Sequence, residues 1–444
     1  MNKKLLLYTF VAALGGLLFG FDTAVINGAM PFFTQHFNIS GVMQGWAVSS
    51  ALIGCIVGAI VIGRPGDVFG RQVMMKLLAL LFLISAIGTG LSVNISMFVI
   101  FRFIGGFAVG GASVLSPAYI SEISPPAYRG RLTMTFQLAI VIGILAAFFS
   151  DYLLLNTGEN NWRYMFLSQC IPALTYFTLL FFIGKSPRWL VRNGESEAAR
   201  EVIRQVNPDA DIDSMIEDIE KSLKQEINSK SVSILQKKYM PLVFIGIAIG
   251  FFNQFTGINV IMYYATDIFR SAGFSTDSAI GQTVIIGLTN LVFTLIAMQV
   301  IDRFGRKSML LVGSLGITVF LGLFSWAYIS GGVHNYILLI SLIGFIAFFA
   351  SSQGAVIWVL LAEMFPNRVR ARGTAIGSFS HWFFNGVTSF LFPVVAAWFS
   401  SGKGIGYIFG FYALVTFMSF FYFKKYLFET KGKSLEELEK MVMK

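Results

Sequence analysis

The residue with the clearest chemical meaning is Asp22, a carboxylate well inside the long apolar stretch 5–30. A charged aspartate at the centre of a membrane helix costs roughly 2.5–3.5 kcal/mol, so such a residue is usually functional or paired. Arg102 lies inside another apolar stretch and supplies a matching cation. We expect Asp22 and Arg102 to pair, and protonation of Asp22 to weaken the pair. A static buried salt bridge is the alternative interpretation.

A second group of charges recurs in two motifs that each occur twice. Asp67-Val-Phe-Gly-Arg71 returns as Asp302-Arg-Phe-Gly-Arg306, and Glu122-Ile-Ser-Pro returns as Glu363-Met-Phe-Pro. Repetition at long range indicates a duplicated structural unit. We expect a gate formed by the first set, Asp67, Arg71, Glu122, Arg129 and Arg131, and its counterparts Asp302, Arg306, Glu363, Arg370 and Arg372. The two sets should pair between the halves when the cytoplasmic side is shut and exchange those pairs for water when it opens. The alternative is that these charges only fix the topology.

The composition places these charges in a membrane protein. Of 444 residues, 55% are hydrophobic and only 13% are charged, whereas a soluble domain has about 25% charged residues. This excludes a soluble multidomain enzyme, a disordered chain and a nucleic-acid-binding protein. No nucleotide-binding loop, metal-ligand set or nucleophile–base pair indicates an enzyme, and no cofactor is expected apart from a coupling proton.

The apolar residues form stretches long enough to span a bilayer, which requires about 20 residues in a helix. Twelve are predicted, at 5–30, 46–63, 73–91, 97–120, 133–155, 165–184, 241–269, 280–301, 309–329, 336–361, 373–399 and 405–427. The sequence therefore predicts an all-α membrane protein with two six-helix halves, 1–184 and 241–428. A cytoplasmic helical linker, 185–240, joins them, and a cytoplasmic tail, 429–444, follows.

The basic residues orient these spans, because Lys and Arg collect on the cytoplasmic side of a membrane. Of 33 Lys and Arg residues, only Arg163, Arg270 and Lys403 fall in loops that this arrangement places outside, and Arg102 falls within a span. Both termini are therefore predicted to be cytoplasmic. The same reasoning places the repeated motifs at cytoplasmic helix ends and accounts for the net charge of +10 without nucleic acid.

Six motifs in order resemble those of the sugar porters of the major facilitator superfamily. They are the paired Asp-x-x-Gly-Arg loops, the Glu-x-x-Pro and Arg-Gly-Arg cluster at 122–131, Ser186-Pro-Arg-Trp-Leu190, Asn253-Gln-Phe-Thr-Gly-Ile-Asn259, Trp358-Val-Leu-Leu-Ala-Glu-Met-Phe-Pro366 and Glu429-Thr-Lys-Gly432. The resemblance covers almost the whole chain and is strongest to bacterial proton-linked pentose and hexose symporters. It implies a substrate path on a pseudo-two-fold axis near the bilayer midplane.

The resemblance also implies a sugar site in the second half, and the side chains suit one. Amides of Asn and Gln both donate and accept hydrogen bonds, as sugar hydroxyls do, and aromatic rings can stack on a pyranose. The implied residues are Asn253, Gln254, Asn259, Tyr263, Asn290, Trp358, His381, Trp382 and Asn385. Gly257 is expected to break the seventh span or to allow a close approach there. For each amide, simple interhelical hydrogen bonding is the alternative.

Several positions depart from the family pattern. Ile144 and His381 occupy positions where related proteins carry glutamine, and Gln72 replaces a basic residue after Arg71. Lys185 and Phe428 replace an expected Glu and Pro. His381 is open to three interpretations, namely sugar contact, helix packing and proton relay.

The resemblance implies that Asp22 couples sugar to protons, because proton symporters of the family carry an aspartate there. The leading hypothesis is therefore a proton-coupled importer of a pentose or hexose in the plasma membrane, acting as a monomer. The alternatives are a passive sugar uniporter, a proton-coupled polyol (inositol) transporter and, less favoured, a sugar-sensing membrane receptor.

Overall fold

A computed structural model describes residues 2–125, 128–208, 211–228, 233–234, 236–331, 335–366, 369–399 and 402–431. The regular elements in these ranges are all helices, as the sequence predicts. The chain divides into two compact units, Met1–Ala29 with Ser50–Lys230, and Met30–Ser49 with Ser231–Lys444.

The first two helices each contribute to both units, and nine more helices belong to the first unit. The shared helices are α1 (Lys3–Phe37) and α2 (Gly41–Val61). The others are α3 (Gly63–Phe69), α4 (Arg71–Gly90), α5 (Ile95–Ile123), α6 (Arg129–Leu154), α7 (Asn161–Ser168), α8 (Cys170–Leu179), α9 (Pro187–Arg192), α10 (Ser196–Val206) and α11 (Ile212–Asn228). Helices α9 to α11 fall within the stretch predicted as a linker and pack around a small apolar core of their own.

Eight helices follow in the second unit. They are α12 (Met240–Gln254), α13 (Ile258–Ser271), α14 (Thr276–Phe304), α15 (Arg306–Ser330), α16 (Asn335–Ala350), α17 (Gln353–Glu363), α18 (Arg370–Trp398) and α19 (Gly404–Tyr426). Their buried core includes Tyr239, Met309, Leu360, Phe365 and Phe423.

Within the described residues, ten helical segments are long and apolar enough to cross a membrane. The other two predicted spans are helical as well: residues 165–184 contain parts of α7 and all of α8, and residues 373–399 lie almost entirely in α18. Many large apolar side chains, such as Ile60, Phe244 and Val319, are exposed on these helices. Contact of such side chains with lipid costs no free energy, whereas their exposure to water does.

Glycines allow pairs of helices in the first unit to pack backbone against backbone. A Cβ atom at Gly20 of α1 would collide with the Ile140 carbonyl of α6, and one at Gly143 of α6 with the Leu17 carbonyl of α1. Small residues are what membrane helices use for such close approach, because lipid provides no hydrophobic force between them. Helices α1 and α6 are therefore held at a separation that other residues would not permit.

Three of the spans are interrupted, and each interruption carries polar side chains. Helices α12 and α13 meet at Gly257, whose φ of 82° is left-handed and whose missing Cβ leaves room for the Tyr412 ring. This confirms the break expected at Gly257. The interruption between α7 and α8 falls at Gln169, and the one between α16 and α17 lies just before Gln353. Broken membrane helices are tolerated where they line a site or a cavity.

Candidate functional site

Asp22 and Arg102 form the ion pair that the sequence predicts, inside the first unit. Asp22 lies on α1 and Arg102 on α5, with 1% and 2% of their side chains exposed. The Arg102 Nη1 donates to Asp22 Oδ2 over 3.1 Å and also to the Asp22 backbone carbonyl over 3.0 Å. Because both charges are removed from water, each depends on the other for its stabilisation.

The second oxygen of Asp22 is held by Gln169, at the interruption between α7 and α8. The Gln169 Nε2 donates to Asp22 Oδ1 over 3.2 Å, and the Gln169 side chain is buried. Gly105 of α5 permits this arrangement, since a Cβ there would lie 3.0 Å from Asp22 Oδ1. Each carboxylate oxygen therefore accepts a hydrogen bond, which is the arrangement that stabilises the charged form.

This geometry allows protonation of Asp22 to break the ion pair with Arg102. In the charged state, the Asp22 carboxylate is bound by a guanidinium and an amide, neither of which can neutralise it by proton transfer at ordinary pH. Protonation would remove the attraction to Arg102 and leave the guanidinium in need of another acceptor. The pair can therefore link a proton to the relative position of α1 and α5.

The second unit holds a connected cluster of amides around the break between α12 and α13. The Asn259 Nδ2 donates to Gln254 Oε1 over 2.7 Å, and the Gln254 Nε2 donates to Asn253 Oδ1 over 2.9 Å. The Asn253 Nδ2 lies 3.4 Å from Gln353 Oε1 at the start of α17. Four amides from two interrupted spans thus form a single hydrogen-bonded group, which we call the amide cluster.

His381 of α18 joins the amide cluster and connects it to an aromatic surface. The Gln254 Nε2 lies 3.1 Å from each ring nitrogen of His381, so an amide N–H faces an imidazole that must accept. The His381 ring centroid is 4.8 Å from that of Trp358 and 5.9 Å from that of Trp382. An accepting, neutral His381 fits hydrogen bonding better than proton relay. Trp358 is the more exposed of the two tryptophans.

Tyr263 and Asn385 form a separate polar pair in the same unit. The Asn385 Nδ2 donates to the Tyr263 hydroxyl over 3.3 Å, and Asn385 Oδ1 accepts from Ser389. Asn290 is buried on α14, and no hydrogen bond among the described residues joins it to the amide cluster. Of the nine predicted substrate residues, the structure therefore groups Asn253, Gln254, Asn259, Trp358, His381 and Trp382.

The first copies of the two repeated motifs meet in one group of residues. We call this group the first corner and define it by Gly70, Arg71, Glu122 and Trp189. The Arg71 Nη2 lies 2.5 Å from Asp67 Oδ1, and Arg71 Nε donates to Glu122 Oε1 over 3.3 Å. Gly70, with φ of 94°, packs on the Trp189 indole, whose Nε1 donates to the Val68 carbonyl. Arg129 and Arg131 are exposed at the start of α6.

The second corner has the same plan in the second unit and is defined by Gly305, Arg306, Glu363 and Glu429. The Arg306 Nη2 donates to Glu363 Oε1 over 3.0 Å, and the Thr430 hydroxyl donates to Glu363 Oε2 over 2.6 Å. The gate was predicted from pairing between the halves, whereas these ion pairs join residues of one unit. Arg372 is exposed, and the side chains of Asp302 and Arg370 lie outside the described residues.

Glu429 has a structural task in the second corner. Its Oε1 accepts from the Arg306 backbone N–H over 2.9 Å, and its Oε2 accepts from the Lys307 N–H over 3.0 Å, so the carboxylate caps α15. Burial alone raises the pKa of Glu429, but hydrogen bonds from backbone N–H groups, those of Lys431, Arg306 and Lys307 among them, outweigh it and leave the pKa below its ordinary value.

Sequence reasoning missed Gln169, Gln353 and the capping role of Glu429. Gln169 and Gln353 are lone amides inside otherwise apolar spans, and such side chains need hydrogen-bond partners in a membrane. This pattern is a signal that could have singled out both residues, although it does not identify their partners. Gln72, which replaces a basic residue of the family pattern, donates to the carbonyls of Leu180 and Ile183.

Comparison with known proteins gives matches over almost the entire chain. Residues 8–442 match the family described as sugar (and other) transporter. The chain is 39% identical to the glucose transport protein of Synechocystis sp., covering 98% of this chain and 97% of that protein. It is 37% identical to the D-xylose-proton symporter of Escherichia coli K12, covering 97% and 94%, and 34% identical to the arabinose-proton symporter of Bacillus subtilis, covering 99% and 95%.

Solved structures agree. The inward open conformation of the xylose transporter XylE from E. coli superimposes with a TM-score of 0.86 at 35% identity, covering 98% of each chain. The proton:xylose symporter XylE bound to 6-bromo-6-deoxy-D-glucose gives a TM-score of 0.80 at 35% identity, covering 99% of each chain. The second of these is described as a member of the major facilitator superfamily.

Proposed function

The chain belongs to the sugar transporter family, and we propose that it imports a monosaccharide, a pentose or a hexose, together with protons by alternating access. As a member of this family with the major facilitator fold, it is a multi-pass membrane transporter and not an enzyme. The observation that carries the proposal is the buried Asp22–Arg102 ion pair. Curated relatives with similar sequences are named as xylose–proton and arabinose–proton symporters.

Coupling follows from the ion pair. When the substrate path opens outward, Asp22 takes a proton, its attraction to Arg102 weakens, and sugar binding lets the two halves rock. Release of the sugar and the proton inside restores the pair. One charge moving with the membrane potential gains about 2.3 kcal/mol per 100 mV, which supports roughly 40- to 50-fold accumulation of sugar.

Sugar recognition is assigned to the amide cluster and its aromatic neighbours. Most polar groups of the cluster bind one another, and the buried Gln353 Nε2 has no hydrogen-bond partner among the described residues. A sugar hydroxyl would accept from this N–H, and other hydroxyls would replace amide–amide hydrogen bonds with amide–hydroxyl bonds. Trp358 and Trp382 offer ring faces beside His381, which would contact a hydroxyl as a neutral partner. Tyr263, Asn290 and Asn385 complete the proposed substrate set.

Gating is assigned to the repeated corners. The proposed gate consists of Asp67, Arg71 and Glu122, which interact in the first corner, of Arg129 and Arg131 at the start of α6, and of their counterparts Asp302, Arg306, Glu363, Arg370 and Arg372. We expect these groups to exchange partners between the closed and open states of the cytoplasmic side. The ion pairs within each corner hold the arginines in place for that exchange.

The proposed setting is a plasma membrane, with both termini in the cytoplasm and one chain acting as the functional unit. The lipid bilayer is the surrounding partner, and protons are the coupling ions. No further cofactor and no nucleic acid are required by this scheme.

The decisive test is uptake by vesicles or cells that contain the protein. We expect addition of sugar to alkalinise the outer medium as protons enter with the substrate. A panel of xylose, glucose, galactose, arabinose, fructose and inositol identifies the substrate. Uptake without any change in pH would identify a passive uniporter, and a response to inositol alone would identify a polyol transporter. Binding without uptake would favour a sensor.

Asp22→Asn tests the coupling residue. Because the variant cannot exchange a proton at this position, it should lose uphill accumulation, the whole of the 40- to 50-fold gradient expected per 100 mV, while sugar exchange across the membrane continues. Asp277→Asn, an exposed acid in the first turn of α14, is the matched control and should accumulate sugar normally. Retained accumulation in Asp22→Asn would refute the assignment of Asp22.

A further inference from the structure

A second carboxyl group is buried in the first unit. Asp151 belongs to α6 and is completely buried, with 0% of its surface exposed. In the sequence, Asp151 lies near the end of the predicted span 133–155, and Asp22 is the one acid well inside a span. In the structure, both Asp22 and Asp151 are buried. Asp151 Oδ2 accepts from the Gly28 backbone N–H of α1 over 3.2 Å, and the buried Oδ1 has no hydrogen-bond partner in the part of the chain that the structure describes.

The contact with Gly28 depends on a special turn of α1. A Cβ atom at Gly28 would collide with the Asp151 side chain, so only glycine lets this carboxyl reach the helix backbone. Three residues later, Pro31 lacks the N–H that would complete the helical bond to the Asn27 carbonyl. The part of α1 that belongs to the first unit ends at Ala29, directly after Gly28. Asp151 therefore binds α1 beside a turn that lacks one helical hydrogen bond, near the residue where the first unit's part of this helix ends.

No cation compensates Asp151 among the described residues. The cation on α5, Arg102, is already paired with another acid, Asp22 of α1. On α7, Arg163 donates to the carbonyls of Gly90 and Ser92 and lies over the Trp162 ring. Ser150, the neighbour of Asp151 in the chain, is bound to Ser168 of α7. The guanidinium groups of Arg102 on α5 and Arg163 on α7 are thus bound elsewhere.

An isolated carboxylate in such a place is costly, and buried groups of this kind become neutral by taking up a proton. We propose that Asp151 is a second proton-binding site, which holds a proton on Oδ1 while the Gly28 turn packs on it. When that turn opens to water, the O–H bond breaks, the proton passes to water and the carboxylate is hydrated. Repacking takes a proton back from the water on the same side.

The consequence is a dependence of conformation on pH that is separate from Asp22. Low pH favours the state in which Gly28 covers Asp151, and high pH favours the open state. In the orientation proposed above, α1 runs from the inside to the outside and Gly28 lies about 9 Å further out than Asp22, so external pH controls the site. The inference rests on the proposed function, because it requires that α1 moves during transport.

The test compares how sugar affinity depends on pH in four purified proteins: the native chain, Asp22→Asn, Asp151→Asn and the double variant. Binding and protonation are reciprocally linked, so the slope of log affinity against pH gives the number of protons exchanged on sugar binding. The probe is whichever of D-xylose, D-glucose and L-arabinose binds the native chain. We expect Asp22→Asn to keep a measurable slope, no larger than about one proton, and the double variant to have none.

A flat response in Asp22→Asn, or an equal slope in Asp22→Asn and the double variant, would overturn the role of Asp151. If the native chain still alkalinises the medium when sugar is added, the proposed symport stands even though the role of Asp151 fails. Failure of the Asp151 inference is therefore distinguishable from failure of the proposed function. Infrared spectroscopy supplies a readout independent of sugar: the carbonyl stretch of a protonated, buried carboxylic acid should be present in the native chain and absent from Asp151→Asn. Since Asn is close in shape to Asp, thermal melting should confirm that this variant folds.

Discussion

The first and second corners have the same sequence motif and the same backbone, but different groups cover them. In each, a glycine with positive φ precedes a helix, and the following arginine binds a glutamate from a later helix. In the first corner, the glycine packs on the indole of Trp189, whereas in the second it packs on the carboxylate of Glu429.

The two copies therefore share the glycine turn with positive φ but differ in the side chain that packs on the glycine. An indole covers Gly70 by contact alone and is insensitive to pH. A carboxylate covers Gly305 and also binds the exposed N–H groups of α15, where the positive end of the helix dipole favours negative charge. The second corner is therefore the one that acid should weaken.

The largest expected effect comes from the two glycines themselves. Gly305→Ala should destabilise the protein by about 1–3 kcal/mol, because alanine is strained at this φ and ψ and its Cβ would lie 2.6 Å from Glu429 Oε2. Gly70→Ala shares the strain, but its Cβ would lie 3.2 Å from the indole. We expect the lower melting temperature in Gly305→Ala, measured in detergent. Equal or greater loss in Gly70→Ala would show that the carboxylate moves aside freely.

Neutralising the two glutamates should separate the corners in their effect on conformation. Glu363 binds both Arg306 and Thr430, whereas Glu122 binds Arg71 over a longer distance and its Oε2 has no hydrogen-bond partner among the residues described. Glu363→Gln should therefore shift the balance of inward and outward states by up to about fivefold, equivalent to roughly 1 kcal/mol, and Glu122→Gln by less. Spin-label distances across the cytoplasmic helix ends, in a background without Cys55 and Cys170, measure this balance. An unchanged balance in both variants would contradict the gate.

The smallest effect concerns acid sensitivity. Because the pKa of Glu429 lies below that of a free glutamate, its contribution to stability is complete above the ordinary carboxyl pKa and is lost as the pH falls through the lowered value. Glu429→Gln should cost about 0.3–1 kcal/mol at neutral pH, and melting curves of variant and native chain should converge in acid. Trp189→Phe is the control from the first corner, and its effect should not depend on pH. A constant difference between Glu429→Gln and the native chain would contradict the capping role.

Much of the fold was predictable, because charge and hydropathy are strong constraints in a membrane. The all-helical architecture, the break at Gly257 and the Asp22–Arg102 pair follow from costs that apply to any chain in lipid. Three members of the amide cluster, Asn253, Gln254 and Asn259, were predicted only through resemblance, since hydrogen-bonding amides are also expected as contacts between helices.

The missed features depend on distances that no pattern encodes. Gln169 became a partner of Asp22 because the sixth span is interrupted at that residue. Asp151 looked like a residue at a helix end, and its burial results from Gly28 on a helix far away in the sequence. Pairing between the corners, which rests on symmetry and on a shut cytoplasmic side, stays a prediction, while the ion pairs of Arg71 and Arg306 described here join residues of one unit.

The close packing of α1 on α6 has a consequence for how such a transporter can diversify. At Gly20 and Gly143, any side chain would strike a backbone carbonyl, and backbone cannot move aside as a flexible side chain can. The scaffold around Asp22 should thus accept almost no variation. The hydrogen bonds of the amide cluster join side chains to one another, so a search for new sugar specificity can vary these residues while Gly20 and Gly143 stay constant.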